Sequence, residues 1–202
     1  MLFRSGIGMD RRIGGAFLQA GPGFGGSCFP KDILALQQLS KKVDSEFLIL
    51  DAVIKANSNR PAVMINKIAS AVGGDIAGKK LAILGLTYKA GTDDLRSSPA
   101  IDLINMLRAA QGKVVAYDPE GMKNASKYFD NLDCASNMYE AIENADAIII
   151  ATEWPEFKRL DLAKAKDLVK QPVIIDLRNI IDSAYAQDSG FEYYSVGRKS
   201  GK

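Results

Sequence analysis

The chain has 202 residues, of which 47% are hydrophobic and 25% are charged, which is typical of a soluble globular protein with one or two domains. Its 26 Lys and Arg against 24 Asp and Glu leave a formal net charge of +2, and this balance argues against a nucleic-acid partner. The first residues do not resemble a signal peptide and the longest apolar run, residues 147–151, is too short to span a bilayer, so no membrane partner is expected.

Histidine is absent from the sequence. This excludes a Ser-His or Cys-His catalytic pair and a histidine-ligated metal within the chain, and no metal site is predicted. The two cysteines, Cys28 and Cys134, lie far apart and do not indicate a disulfide framework. We therefore expect reduced thiols and a cytoplasmic protein.

The first distinctive stretch is GPGFGGSCFPKD, which runs from Gly21 to Asp32. Its first six residues include four glycines, which predict that the backbone comes very close to a bulky group. An isolated cysteine is more often an inert core residue. Here Lys31 follows Cys28, and a helix is expected to start at Asp32; both features favour a thiolate, the form that attacks carbonyl groups. Cys134 has no such neighbours and is predicted to be structural.

The chain is predicted to be helical from Asp32 to about residue 72. Pro61 should break or kink this helical region. The motif GGDIAG at residues 73–78 marks a change of pattern, so we predict an all-helical part over residues 1–75 and a second part over residues 76–202. Three groups of apolar residues at helical spacing support the helical part: Ile33, Leu36 and Leu39; Phe47, Leu50 and Ile54; Ile65, Ile68, Ala69 and Val72.

The second part alternates strands with helices, which is typical of an α/β domain with a parallel sheet and helices on both faces. One helix is well marked by Ser98 as N-cap, Pro99 in the first turn and Asp102 near its positive end, and it should close at Gly112. Another is predicted within residues 137–145. Strands are predicted within residues 80–86, 113–119, 146–152 and 172–177, with an edge strand at residues 191–196.

Cationic side chains follow two of the predicted strands. Lys89 and Arg96 lie in GLTYKAGTDDLRSSP, residues 85–99, and Arg178 lies in DLRNIID, residues 176–182. Ligands bind at the carboxyl ends of parallel strands, and these cations suit phosphate groups. From the spacing alone, a phosphate-binding loop and an ordinary solvent-exposed loop are equally consistent with these residues.

A dinucleotide site in the same loop is not expected, because the G-x-G-x-x-G fingerprint is missing. Asp118 ends a predicted strand, as a ribose-binding acid does, but without those glycines we predict a turn former before Pro119. Trp154, in the segment TEWPEF that follows another strand, is predicted to pack in the core.

Taken together, four segments resemble the UDP-glucose/GDP-mannose dehydrogenase family, and within it the UDP-glucose 6-dehydrogenases. They are GIGMDRRIGGAFLQAGPGFGGSCFPKD, LGLTYKAGTDDLRSSPA, ATEWPEF and IDLRNIID, in the order and at the spacing of that family. The resemblance covers essentially the whole chain. It implies the end of a central, helical, dimer-forming region followed by a Rossmann-like UDP-binding domain, whereas the family's NAD-binding domain would lie outside these residues.

The resemblance also implies roles for individual residues. Cys28 matches the nucleophile, and Asp32 matches the residue that assists the water hydrolysing the thioester. Lys31 and Arg96 match positions that contact NAD. The positions that match substrate contacts are Phe17, Leu18, Gln19, Ala20, Gly21, Phe24, Gly25, Tyr88, Lys89, Arg178 and Arg12, the last of which would reach into the site of a neighbouring subunit.

The function implied by the resemblance is the NAD-dependent, two-step oxidation of UDP-glucose to UDP-glucuronate through a cysteine thioester, in a homodimer. Two alternatives remain open. GDP-mannose dehydrogenases carry a similar loop, usually with leucine where this chain has Phe29. The chain by itself could also be a nucleotide-sugar binding and dimerisation module without turnover, because the family's catalytic lysine, asparagine and glutamate lie in the part that this chain does not match.

Overall fold

A single six-stranded parallel sheet organises the second part of the chain. The computed structural model describes residues 2–198. The strand order is β3-β2-β1-β4-β5-β6, so the order reverses between β1 and β4, as it does in doubly wound nucleotide-binding sheets. The predicted α/β fold class is confirmed. The strands are β1 Lys80–Leu84, β2 Lys113–Tyr117, β3 Asp133–Cys134, β4 Ala147–Ile150, β5 Val173–Asp176 and β6 Glu192–Ser195.

Helices precede the sheet and connect its strands. Within residues 2–198 no helix is long and apolar enough to cross a membrane. A short 3-10 helix covers Ala16–Leu18. The α-helices are α1 Leu2–Gly8, α2 Phe29–Lys42, α3 Leu48–Ser58, α4 Arg60–Ala71, α5 Pro99–Ala109, α6 Met122–Ala125, α7 Met138–Ile142, α8 Pro155–Lys158, α9 Leu162–Leu168 and α10 Ser183–Asp188.

The helical segments predicted from the apolar spacing are present as α2, α3 and α4. The predicted interruption at Pro61 is also present: α3 ends at Ser58, and Pro61 lies in the first turn of α4. Proline is tolerated there because the first N–H groups of a helix have no partner within the helix.

Helix α5 follows the predicted cap chemistry at its start, and it ends at Ala109, where the N–H of Gly112 donates to the carbonyl of Leu107 at 2.9 Å. Ser98 accepts a hydrogen bond from the N–H of Ala100, as expected for an N-cap. At the other end Gln111, and not Gly112, adopts the left-handed conformation, with a φ of 61°. Gly112 is required for another reason, because a Cβ there would lie 2.9 Å from a side-chain methyl of Ile76.

Helices cover both faces of the sheet. The face with Leu81 and Ile83 of β1 packs against α4 and α5, and the face with Ala82 and Leu84 packs against α7, α9 and α10. Burial on both faces explains why these strands are apolar throughout instead of alternating. Helix α4 thus shares the core of the sheet. The division at residue 75 stays a prediction.

Several short elements were missed by the sequence analysis. They include strand β3 and the helices α6, α8, α9 and α10, of which α9 has seven residues and the others fewer. Each of these elements has too few residues for a helical or strand periodicity to be recognised in the sequence.

The carboxylate of Asp118 holds three loops together at the carboxyl edge of the sheet. It is fully buried, and one oxygen accepts hydrogen bonds from the N–H groups of Leu86 and Thr87 at 2.7 and 3.0 Å. The same oxygen accepts from the Thr87 hydroxyl at 3.0 Å and from Nε1 of Trp154 at 3.1 Å. The other oxygen accepts from the two backbone N–H groups of the following turn, at 3.0 and 2.7 Å.

This geometry extends the predicted role of Asp118. The residue forms a turn, as expected. In addition, the oxygen that accepts from Leu86, Thr87 and Trp154 joins the ends of β1, β2 and β4, a link that no local pattern predicts. Trp154 is only 8% exposed, so its predicted place in the core is confirmed.

Replacing Asp118 by asparagine should destabilise the fold. In Asp118→Asn an amide N–H₂ must face backbone donors, and the charge that strengthens the remaining hydrogen bonds is lost. We expect the free energy of unfolding to fall by about 3 kcal/mol. Urea unfolding followed by the fluorescence of Trp154, the single tryptophan, measures the change.

The exposed Asp167 provides the control, since Asp167→Asn should change stability by less than about 0.5 kcal/mol. An Asp118→Asn variant with the unfolding midpoint of the parent would contradict the role assigned to this carboxylate.

Candidate active site

The glycine loop, residues 21–26, lies directly against the sheet domain. A Cβ at Gly25 would lie 2.1 Å from the carbonyl oxygen of Ser97. Gly26 has a φ of +91°, and a Cβ there would lie 2.8 Å from the ring of Tyr88. The predicted close approach is therefore present, but the bulky groups that these two glycines approach belong to the protein itself.

One helical side chain holds the middle of the glycine loop. The N–H of Phe24 donates to Oδ1 of Asn57 at 2.9 Å, and Nδ2 of Asn57 donates to the carbonyl of Phe24 at 3.2 Å. At the end of the loop, the N–H of Gly26 donates to the carbonyl of Arg96 at 2.9 Å. The sequence analysis missed Asn57, because an asparagine in an amphipathic helix gives no signal of a distant backbone partner.

Cys28 is exposed and lies at the start of α2. This helix begins at Phe29, three residues before the predicted start at Asp32, because Pro30 suits the first turn. The sulfur of Cys28 lies 3.7 Å from the hydroxyl oxygen of Ser27, and the Cys28 carbonyl accepts the N–H of Asp32 at 2.9 Å. The thiol is therefore placed at the positive end of a helix of 14 residues.

Both predicted cofactor-binding cations are paired with carboxylates. Lys31 contacts the carboxylate of Asp32, and this hydrogen bond raises the pKa of Lys31. Arg96 binds Asp94 in a bidentate manner, with Nε–O and NH2–O distances of 3.0 and 2.8 Å, which raises the pKa of Arg96 and lowers that of Asp94. Both cations therefore stay charged, and Arg96 is held in one orientation.

An open cleft of about 700 Å³ brings these two cations together. Lys31 lines it from α2, and Arg96 lines it from the loop that follows β1. Ser97, which also lines the cleft, has a φ of 50°, a conformation that costs energy for a residue with a side chain and is often found at functional sites. Tyr128 closes the cleft on the side of the sheet domain.

Arg178 is mostly buried at the carboxyl edge of the sheet. Its Nε donates to the carbonyl of Ala151 and its NH2 to the carbonyl of Tyr88, both at 2.9 Å. Burial lowers the pKa of Arg178, while the carboxylates of Glu153 and Asp176 oppose this shift. Two of its three guanidinium nitrogens are thus used inside the protein.

The other predicted substrate residues lie nearer the surface. Lys89 is exposed, with its Nζ 5.4 Å from the ring centre of Tyr88. Arg12 is exposed and pairs with Asp10 at 2.6 Å. Phe17 and Leu18 belong to the short 3-10 helix, and Gln19, Ala20 and Gly21 follow it into the glycine loop.

Three phenylalanine rings meet beside Cys28. Phe24 and Phe29 contact edge to face with their centres 4.7 Å apart, and Phe17 lies 6.4 Å from Phe29. Phe17 is 76% exposed and Phe29 44%, so the group forms an apolar surface open to solvent. The structure therefore brings Lys31 and Arg96 to one cleft, next to Cys28, whose neighbour Ser27 lines it. Cys28 itself, Arg12, Lys89 and Arg178 lie outside the lining of the cleft.

Comparisons with known proteins identify the family of this chain. Residues 3–59 match the central domain of the UDP-glucose/GDP-mannose dehydrogenase family, and residues 82–183 match its UDP binding domain. The chain belongs to this family.

Named relatives are similar over nearly the whole chain. A UDP-glucose 6-dehydrogenase of Rickettsia typhi is 54% identical over 96% of this chain, and one of Rhizobium meliloti is 49% identical over 96%. A solved structure of a UDP-glucose dehydrogenase from Pyrobaculum islandicum superposes with a TM-score of 0.83 at 29% identity, covering 98% of this chain and 43% of that one. The chain spans 45% and 44% of the length of the two curated relatives.

The two thiols should differ in their rates of alkylation. Cys134 is exposed as a residue, but partial removal of its thiol from water, and after it the charge of Asp133, raises its pKa. Its thiolate therefore becomes populated only at alkaline pH. Cys28 is exposed at a helix start, and we expect it to react with iodoacetamide several-fold faster near neutral pH. Mass spectrometry of digested samples reads both sites in one reaction.

Urea-unfolded protein provides the control, because the two rates should converge once the folded environments are lost. Equal rates in the folded protein, or faster labelling of Cys134, would contradict the assignment of Cys28 as the reactive thiol.

Proposed function

We propose that this chain is the substrate-binding and nucleophile-bearing part of an NAD-dependent UDP-glucose 6-dehydrogenase. The observation that carries the proposal is the placement of Cys28 at the start of α2, next to Ser27 in the lining of a cleft that Lys31 and Arg96 also line from two different parts of the chain. The 54% identity to the Rickettsia typhi UDP-glucose 6-dehydrogenase supports this choice of activity. In this proposal residues 1–75 end the central region and residues 76–202 bind UDP.

The proposed cofactor fits the charges of the cleft. Lys31 and Arg96 both line the cleft, and one guanidinium nitrogen of Arg96, NH1, is not used by Asp94. Such a pair suits the pyrophosphate of NAD. When bound, NAD supplies the acceptor for the two hydrides that leave the sugar C6. The larger part of its binding surface would come from outside these residues.

The chemistry assigned to this chain is covalent. The thiolate of Cys28 adds to the C6 aldehyde, which forms a C–S bond and leaves an oxygen that takes up a proton. After a hydride leaves C6 and this proton is lost, the adduct is a thioester. Asp32 assists a water molecule that attacks the thioester carbonyl, so the C–S bond breaks, the thiolate departs and UDP-glucuronate forms. The covalent link prevents release of the aldehyde between the two oxidations.

The binding surface proposed for UDP-glucose includes both parts of the chain. Its members are Arg12, Phe17, Leu18, Gln19, Ala20, Gly21, Phe24, Gly25, Tyr88, Lys89 and Arg178. Phe29 supports UDP-glucose over GDP-mannose, because its ring fills the position beside Phe24 where GDP-mannose dehydrogenases usually have leucine. Two free cysteines, both exposed, support a reducing, cytoplasmic environment.

A fusion protein tests the proposed reaction. The NAD-binding part of a close relative, joined ahead of this chain, should form NADH and UDP-glucuronate from UDP-glucose and NAD. In that fusion Cys28→Ser should abolish net formation of UDP-glucuronate, since a serine alkoxide forms far less readily than a thiolate. Chromatographic measurement of UDP-glucuronate reads the outcome.

Two controls accompany this experiment. Cys134→Ser should leave turnover within a few fold, and the 202-residue chain by itself should bind UDP-glucose without forming NADH. A Cys28→Ser fusion that turns over at the parent rate would refute the covalent mechanism. A chain that binds neither UDP nor UDP-glucose would refute the substrate assignment.

We also propose that the chain forms a homodimer through residues 47–72. Apolar side chains of α3 and α4 are exposed there, among them Ile49 at 76% and Val63 at 50%, and a second subunit would cover them. Sedimentation at high micromolar concentration should show a dimer, and Ile49→Glu should shift it towards monomer. Met106→Glu, at an exposed position of α5, should not. A monomeric parent at that concentration contradicts the proposal.

A further inference from the structure

Glu153 follows β4 at the point where the strand order of the sheet reverses. It belongs to the TEWPEF segment, and neither the sequence analysis nor the mechanism assigns it a role. Its Oε2 lies 3.1 Å from Nε of Arg178. That oxygen is buried and has no hydrogen bond among residues 2–198, so the guanidinium is the group that offsets its charge.

The second oxygen of Glu153 contacts the loop that follows β1. Oε1 accepts a long hydrogen bond, 3.4 Å, from the N–H of Ala90, which is next to Lys89. One carboxylate therefore contacts both segments that carry proposed substrate residues of the sheet domain: the Tyr88–Lys89 segment and Arg178.

Arg178 in turn contacts the glycine loop. A Cβ at Gly21 would lie 2.9 Å from NH1 of Arg178, while NH2 of Arg178 donates to the carbonyl of Tyr88. The ring of Tyr88 packs on Gly26, at the other end of the same loop. Arg178 and Tyr88 thus contact the two ends of the glycine loop, and the position of Arg178 sets the distance between that loop and the Tyr88 segment.

A buried guanidinium keeps this position only if its charge is compensated. The side chain of Arg178 is 13% exposed and that of Glu153 38%, so most of the Arg178 charge is removed from water. An uncompensated buried charge is costly, and a guanidinium cannot respond by losing its proton. The carboxylates of Glu153 and Asp176 both oppose the lowering of the Arg178 pKa by burial, and Glu153 is the one whose side chain forms an ion pair with Arg178.

We propose that Glu153 is a positioning residue for the nucleotide-sugar site, which acts through Arg178 to set the spacing between the glycine loop and the Tyr88 segment. The inference deepens the proposed function and rests on it. Glu153 does not touch the reacting carbon in this proposal, and its effect should appear in ligand affinity.

The same segment offers a matched control. Glu156 lies three residues further along, and its carboxylate accepts the hydroxyl of Tyr117 at 3.2 and 3.3 Å. It therefore resembles Glu153 in type and in having a polar partner, but its partner is neither Arg178 nor the Tyr88 segment.

Calorimetric titration of the 202-residue chain with UDP tests the proposal. Glu153→Gln should weaken UDP affinity about tenfold, a size typical of coupled neighbours. Glu153→Asp keeps the charge and should recover part of the loss, whereas Glu156→Gln should stay within about twofold of the parent. Circular dichroism confirms that each variant is folded, and Glu153→Asp keeps the test decisive if Glu153→Gln does not fold.

A double-mutant cycle separates positioning from general stability. In an Arg178→Gln background, Glu153→Gln should cause no further loss of affinity, because the group it acts through is already gone. Additive losses would overturn the proposed route through Arg178, and so would parent-like UDP affinity in folded Glu153→Gln. A parent chain that does not bind UDP would instead overturn the proposed function, and this inference with it.

Discussion

The hydrogen bonds to the buried carboxylate of Asp118 are the interaction on which the site depends. In a parallel sheet the carboxyl ends of neighbouring strands are open loops with unpaired N–H groups. Asp118 satisfies such groups from the loop after β1 and from its own turn, and it also binds the indole that follows β4. Asp176 does the same after β5, where it accepts the N–H groups of Arg178, Ile180 and Ile181. Two buried carboxylates thus order the edge on which the cations lie.

The glycine loop can join the helical part to this edge only because the edge is ordered. Gly25 lies too close to the Ser97 carbonyl for any side chain. A small displacement of the loop that carries Ser97 would therefore separate the glycine loop from the sheet domain. Asn57 holds the opposite side of the glycine loop through both polar groups of the Phe24 backbone. Cys28 follows within a few residues, so the position of the thiol depends on contacts made far away in sequence.

Much of the fold was predictable because its signals are local. The apolar runs of β1, β2, β4 and β5, the Ser98 cap and the interruption at Pro61 each depend on a few adjacent residues. Helix α5 ends before Gly112, as the sequence predicts, but no local pattern revealed that Gln111 takes the left-handed conformation or that Gly112 packs against Ile76. Short elements such as α9 and β3 carry too little pattern to be found. Around the site, the residue patterns pointed to Cys28 with Lys31 and to the cations Lys89, Arg96 and Arg178. They did not point to Asn57, to Asp118 as a link between loops, or to Glu153.

The sequence by itself determined the fold class, the exclusion of histidine chemistry and the glycine-rich stretch that carries Cys28, since composition, periodicity and glycine content are properties of neighbouring residues. Only the tertiary structure decided which groups the glycines approach, which carboxylate pairs with Arg178, and which cations share one cleft. These are contacts between residues up to 90 positions apart, such as Arg178 and Tyr88. They depend on how strands and helices pack in space, and no local pattern encodes that packing.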